Sequence, residues 1–398
     1  MSPDNRTVMP RRRNLRRAAA LAASLAVVVA LPAGAQSPGA SPAASGDAYP
    51  SKLSQFQPFV PSDTVGAIPS LPKRVVFLVP GANAYYTDIG NAIQKGATAA
   101  GITDFTLVSS DGDPVKNIDQ INSELQRGVG CLVVQPQDAA AQGAVLQQAI
   151  DQGVYVDYFV TPPANTQTMA DQYDLGYQQG KEAVKWINAN LGGKAVVANM
   201  TLDFIEALIP RRMGTEAALA EGGPGIQLIN VPIKNDSPDE GFGVASTLMQ
   251  AHPDINVWIG PDADGLSVQA YLHSVGKDPT KDKIYITGLN GDQDALDAVS
   301  KGGDFFQATW GFNNSLLGYA MGQFCGDWLA GKTVPQAIQG GGTLATNAAD
   351  VTALQGMIND PAGQYKLLVA GTQNGNKLWG NTSFENKDNY IRHTLTGG

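Results

Sequence analysis

A chain of 398 residues with a formal net charge of −9 is long enough for two ordinary domains. It is too acidic to suit nucleic acid, where neutralised phosphates supply most of the affinity. The first 35 residues hold six arginines and one aspartate, so the rest of the chain carries −14. Histidine occurs only at His252, His273 and His393, and there is no CxxC, so neither a zinc site nor any other cofactor is expected.

Near its start the chain reads RRRNLRRAAALAASLAVVVALPAGAQS. Arginines precede an apolar run from Ala18 to Leu31, and small residues follow at Ala33 and Ala35. That layout is expected of a secretory signal peptide over residues 1–35, cut near Ala35. The competing reading, a membrane anchor, needs roughly 20 apolar residues. Arg12 and Arg13 match a twin-arginine signal loosely, and no cysteine near the cut supports a lipid anchor. Residues 36–72 are rich in proline, serine and alanine and read as a linker or N-terminal extension.

From Arg74 an alternation of strands and helices begins. RVVFLV, FTLVSS, CLVVQP and VYVDYF read as strands, separated by the helical stretches DIGNAIQKGATAAG, DPVKNIDQINSELQRG and AAAQGAVLQQAIDQG. The strands are continuous apolar runs, as expected of a parallel sheet covered on both faces. Cys131 lies in the third strand and Cys325 on a helix far along the chain, which reads as two buried free thiols. After TPPANTQT (Thr161–Thr168) the alternation restarts with KAVVANM, IQLINVPI, INVWIG, KIYITGLN and FFQATWGF as strands. So many strands exceed one ordinary sheet. The expected fold class is therefore α/β, with two doubly wound parallel-sheet lobes and a ligand cleft between them. Lobe 1 takes 73–160 plus 313–342, and lobe 2 takes 168–311 plus 343–398. Three crossings join them: near Thr161–Thr168, near Phe312–Asn313 and after Gly340.

Right-handed crossovers bring the C-terminal ends of the strands to one edge of each sheet, and ligands bind outside those ends. The residues placed there are Asn83, Tyr85 and Tyr86; Asp111; Gln135 and Asp138; Tyr158 and Phe159; Asp203 and Phe204; Asn235 and Asp236; Asp262 and Asp264; Asn290 and Asp292; and Trp310 and Phe312. Rings stack on the C–H faces of a sugar or other flat ligand, and amides and carboxylates serve its hydroxyls. The loop VPGANAYYTDIG carries two adjacent tyrosines, too bulky for close backbone approach to a pyrophosphate. Isolated aspartates at such positions also serve as helix caps, and Tyr85 and Tyr86 could instead cap the lobe core. GxSxG, P-loop and GxGxxG patterns are absent, and DGDPVKNID and DADGLSVQ lack calcium-loop spacing. An exported hydrolase using cleft carboxylates is the alternative to a binding protein.

From Arg74 to Lys332 the chain resembles the type I periplasmic substrate-binding proteins of ABC importers, especially the ribose/galactose group. The resemblance rests on VPGANAYYTDIGNAIQKGATAAG, INSELQRGVGCLVVQPQD, RRMGTEAAL, LMQAHPDINVWIGPDADGLSVQAYLHSVGK, ITGLNGDQDALDAVSKGG and FFQATWGFNNSLLGYAM, in the family order. It implies a non-catalytic receptor, periplasmic or secreted and monomeric, that closes on a small sugar or polyol and delivers it to a membrane permease. It places Asn83, Tyr85, Tyr86, Gln135, Arg211, Asp262, Asn290 and Phe312 in the pocket; Trp310 and Tyr158 join them from strand-end position. The family's usual Asp-Arg pair is replaced by YFVT (Tyr158–Thr161), and its common Asp by Asn290. Those departures deplete the charged clamp on sugar hydroxyls and leave open a less polar sugar, a polyol or another small neutral ligand. The related repressors carry an N-terminal DNA-binding helix-turn-helix, where this chain has the signal peptide and linker.

Overall fold

The computed structural model describes residues 52–396, apart from positions 63, 82–83, 160–161, 204, 206–207 and 235–237. The expected signal peptide lies outside the described residues. Among them, two sheets form. The first contains β1 (Arg74–Val79), β2 (Asp104–Ser109), β3 (Cys131–Val134), β4 (Tyr155–Phe159), β5 (Thr166–Ala170), β11 (Ala337–Gly340) and β13 (Lys377–Trp379), in the order β13-β11-β5-β4-β3-β1-β2. The second contains β6 (Ala195–Thr201), β7 (Ile226–Pro232), β8 (Val257–Ile259), β9 (Tyr285–Asn290), β10 (Phe306–Phe312) and β12 (Gly342–Ala345), in the order β12-β10-β9-β8-β6-β7. Only the edge strands β13 and β12 run antiparallel to their neighbours.

Helices cover both faces of each sheet. In the first lobe, α1 (Ala84–Ala99) and α9 (Asn314–Leu329) share one core with Val75, Phe77, Cys131, Val133 and Tyr155. The alternate residues Val76, Leu78, Leu132, Val134, Val156 and Tyr158 pack on the other face, toward α2 (Pro114–Arg127) and α3 (Ala139–Asp151). Period-two alternation thus persists but joins two apolar layers, so the sequence shows an unbroken apolar run. In the second lobe α4 (Gln172–Leu191) crosses α5 (Ile209–Glu221) at a near-contact of backbones: a Cβ on Gly176 would run into the Arg211 carbonyl. The remaining helices there are α6 (Pro238–Ala251), α7 (Asp262–Ser274), α8 (Gln293–Lys301) and α10 (Ala348–Asn359).

The crossings differ from the expected ones in two respects. TPPANTQT does not leave the first lobe: its second half starts β5, which pairs with β4 and β11, so the chain crosses between Ala170 and Gln172. The segment after 343 does not stay with the second lobe. β12 and α10 do, with Val351 and Leu354 in its core. The chain then crosses a fourth time, at Asp360, into α11 (Pro361–Val369) and β13. The tail beyond it binds the chain's early residues: Leu53 N–H donates to Thr396 O at 3.0 Å, Phe59 N–H to Leu378 O at 2.9 Å and Gly380 N–H to Gln57 O at 2.7 Å. Leu53, Phe56, Ile391 and Leu395 bury themselves there with Met169 and Ala337. This cluster covers the side of the sheet where β5 and β11 lie.

Cys131 and Cys325 are not free thiols: they form a disulfide, with Cα atoms 6.0 Å apart and a sequence separation of 194. The free-thiol reading failed because α9, although it follows the last parallel strand of the second lobe, packs on the first. The bond ties β3 to that returning helix. Closing so long a loop contributes roughly 2–4 kcal/mol. The double variant Cys131→Ala, Cys325→Ala is expected to lose about that much in urea unfolding, and reductant to lower the melting temperature of the native chain only. Two free thiols by mass spectrometry in the exported protein would contradict the bond.

Candidate functional site

The cleft residues sit where strand ends meet helix starts. Asn83 lies outside the described residues, as do Phe204, Asn235 and Asp236. Tyr85 and Tyr86 fall in the first turn of α1. Both are half-buried against the first lobe's core, and their rings meet edge to face at 5.2 Å. Burial pushes the Tyr85 hydroxyl well up; Tyr86 and Asp292 push the same way, and Arg211 opposes them. Arg211 and Asp292 belong to the second lobe. Tyr85 therefore stands within electrostatic reach of Arg211 and Asp292 at the second lobe's strand-end edge.

From the first lobe, Gln135 follows β3. Its N–H donates to Leu78 O at 2.9 Å, while its side-chain Nε2 is buried without a hydrogen-bond partner. From the second lobe, Arg211 donates through Nε and Nη2 to Gln172 Oε1, at 3.0 and 2.7 Å. The guanidinium is thus aimed by the start of α4. Beside it a recess of about 20 Å³, lined by Gln179, Asn199, Thr201, Arg211 and Leu289 among others, has room for about one water. Asn290 ends β9, half-buried. Trp310 and Phe312 lie two apart on β10, both half-buried. The Trp310 indole N–H is buried and unpartnered.

Two expected contacts take other roles. Tyr158 is fully buried on the α2/α3 face. Its hydroxyl donates to Gln142 Oε1, whose Nε2 in turn donates to Asn117 Oδ1 at 2.7 Å. It is a core residue, because its parity on β4 turns it away from the Tyr155 face. Asp262 is fully buried and its carboxylate is engaged from three sides: Gly291 N–H at 2.7 Å and Asp292 N–H at 2.8 Å on Oδ2, and the Thr309 hydroxyl at 2.7 Å on Oδ1. It ties the ends of β8, β9 and β10 together and leaves little for a ligand. Other strand-end aspartates are caps or ion pairs: Asp138 accepts from Ala141 N–H at 3.0 Å, Asp111 pairs with Lys116 and Asp203 with Arg212.

Sequence reasoning missed Gln172, Gln179, Thr309 and Asn313. Gln179 Nε2 reaches the carbonyls of Gly260 at 3.3 Å and Gly288 at 3.0 Å. Asn313 caps α9, accepting from Leu316 N–H at 3.0 Å, and keeps a buried Nδ2 without a partner. Its place just before a helical run is a cap signal. Gln172 and Thr309 leave no local signal, since their partners lie 39 and 47 residues away. Gln135, Trp310 and Asn313 thus present buried N–H donors at strand ends. Such donors cost about 1–3 kcal/mol each unless met by ligand or water. Among the described residues, no group of three or more His, Cys, Asp or Glu could hold a metal ion.

Burial, with Asp292 second, pushes the Asp262 carboxyl from 3.8 up to about 8, against its three hydrogen bonds. Burial likewise lifts Asp157 to about 7, although Thr168 hydrogen-bonds it. For a raised acid the folded state holds the proton more tightly than the unfolded chain. Stability is therefore greatest below the unfolded value and falls as pH rises toward the folded one, by at most about 1.4 kcal/mol per pH unit per group. Asp262→Asn keeps an acceptor for Gly291 and Asp292. Urea unfolding of the variant is expected to show a shallower fall in stability between pH 5 and pH 8 than the native chain, with Asp157 supplying what remains. Identical slopes would contradict this reading of Asp262.

Residues 75–333 match the family described as periplasmic binding protein domain. The ribose import binding protein of Bacillus subtilis is 25% identical over 275 residues, covering 64% of this chain and 81% of that protein. Among solved structures, a Mycobacterium smegmatis protein in complex with β-D-fucofuranose superposes with a TM-score of 0.65 at 21% identity, covering 77% of this chain and 99% of its own. An ABC transporter solute-binding protein of the same organism, with bound glycerol, gives a TM-score of 0.62 at 22% identity over 72% and 96%. With two α/β sheets joined by several crossings, and with the family's sequence pattern running through both, this chain belongs to the periplasmic binding proteins.

Proposed function

We propose that this protein captures a neutral sugar or polyol between its lobes and hands it to an ABC importer. The observation that carries the reading is that Tyr85 of the first lobe lies within electrostatic reach of Arg211 and Asp292 of the second. The unpartnered donors of Gln135, Trp310 and Asn313 support it. Rings and amides are available there, while the Asp262 carboxylate is committed to backbone. Such a surface suits a ligand with ring faces and acceptor oxygens better than a charged one. The relatives named for ribose import and found with a furanose or glycerol agree with that chemistry. The receptor works as a monomer outside the cytoplasm, exported by its N-terminal signal. A ring of Tyr85 or Tyr86 covers an apolar face of the ligand, with Asn290, Phe312 and Trp310 on the opposite wall; a hydrogen bond from Asn83 to a ligand hydroxyl rests on its sequence position alone.

A thermal-shift panel of pentoses, hexoses in furanose and pyranose forms, inositols and glycerol tests this. A true ligand at 100 times its Kd adds about 2.7 kcal/mol of stability and is recovered chemically unchanged. Tyr86→Ala and Tyr85→Ala are each expected to weaken it about three- to tenfold, the worth of a stacked ring, with unfolding midpoints little changed. Turnover of the stabilising compound would favour the hydrolase reading. Unchanged affinity in both variants would make the tyrosines scaffold.

A further inference from the structure

Each crossing between the lobes is a single residue: Asp171 between β5 and α4, Asn313 between β10 and α9, Gly341 between β11 and β12, and Asp360 between α10 and α11. A hinge takes up its φ/ψ change at such positions. Three of the four have side chains that cap the helix that follows. Asp171 accepts from Asp174 N–H at 3.0 Å, Asn313 from Leu316 N–H at 3.0 Å and Asp360 from Gly363 N–H at 2.9 Å. Gly341 has no side chain, and a Cβ there would run into the Gly375 carbonyl.

The backbone of Gly341 is held from the tail instead. Its N–H donates to Asn376 Oδ1 at 3.1 Å. Asn376 is buried, and its own N–H and its Nδ2 both donate to Gln373 Oε1, at 2.9 and 2.8 Å. Gln373 is buried too, and its N–H donates to Leu367 O of α11 at 3.1 Å. Asn376 leads directly into β13, where Lys377 pairs with Gln339 of β11. The amide pair therefore belongs to the first lobe, while the peptide it holds is the point where the chain enters the second. From Gly341 the chain runs through β12 and α10, whose Leu354 lies over Gly311 of β10. It then returns through Asp360 and α11 to the crossing it left. All of this segment lies beyond the residues 75–333 that match the family.

We infer that Gln373 and Asn376 form a clasp on the hinge: they pin the Gly341 peptide to the first lobe and bias the empty receptor toward the lobe arrangement described here. That arrangement is the one with Tyr85 in electrostatic reach of Arg211 and Asp292. The bond exists only while the Gly341 N–H faces Asn376, so it shifts the population by its own worth and no more. The inference rests on the lobes opening and closing, and not on which ligand they close upon.

Pulsed electron spin resonance on the full mature chain without ligand tests the clasp. Spin labels at Val115→Cys and Asp239→Cys, exposed positions in the first turns of α2 and α6, report the distance across the strand-end rim. The native cysteines are tied up in their disulfide and take no label. Asn376→Ala and Gln373→Ala are each expected to raise the population at longer distances about two- to tenfold, the worth of one neutral hydrogen bond. Gln373→Glu keeps an oxygen for Asn376 and should stay near the native distribution. A pair that only stabilises the fold would lower the urea midpoint and leave the distances alone. The measurement needs no ligand, so its failure and a failure of the sugar reading are separate results. Two outcomes would overturn the inference: both alanine variants, folded by circular dichroism, keep the native distribution, or Gln373→Glu widens it as much as Gln373→Ala.

Discussion

A parallel sheet covered by helices on both faces is open only along its two strand edges and its two rows of strand ends. In this protein that constraint decides where a ligand can go. Both sheets bury each face, as the separate apolar layers of Val75, Phe77 and Val133 and of Val76, Leu78 and Val134 show. Right-handed connections then deliver the loops after β1, β3, β8, β9 and β10 to the strand-end rows. Gln135, Asn290 and Trp310 are drawn from those loops or from the strand ends beside them, and Tyr85 from the first turn of the helix that follows β1. The proposed ligand contacts are therefore a few positions whose placement the backbone has already fixed.

Holding two such rows face to face requires more than the sheets. Asp262 binds three successive strand ends of the second lobe, at the expense of burying a carboxylate that would rather be protonated. Gln179 links the backbone behind them, and Gln172 holds Arg211. In the first lobe the Cys131–Cys325 bond and the tail around Ile391 and Leu395 secure the elements next to the crossings. These groups brace each lobe internally, and four thin crossings join the lobes, the arrangement of a hinge.

Much of this was legible in the sequence. The strands from Arg74 to Phe312, the helices between them and the two-lobe division follow from apolar runs and helical spacing, and the strand-end rule selected Tyr85, Gln135 and Trp310. What escaped depended on long-range partners. In a doubly covered sheet both parities of a strand are apolar, so nothing local said that Tyr158 faces α3. The pairing of Cys131 with Cys325 required knowing that α9 returns to the first lobe. The fourth crossing at Asp360 and the return of β13 required knowing that sheet's open edge. Asp262 reads locally as one more strand-end acid. Only Gly291, Asp292 and Thr309, brought near by the fold, make it a clamp.

The central claim is that the two rows of strand ends close on a ligand. Small-angle X-ray scattering of the mature chain, with and without the compound that most raises its melting temperature, tests that claim most directly. A smaller radius of gyration and a shorter maximum dimension are expected at saturation. An unchanged scattering curve at proven saturation would contradict hinge closure about these crossings.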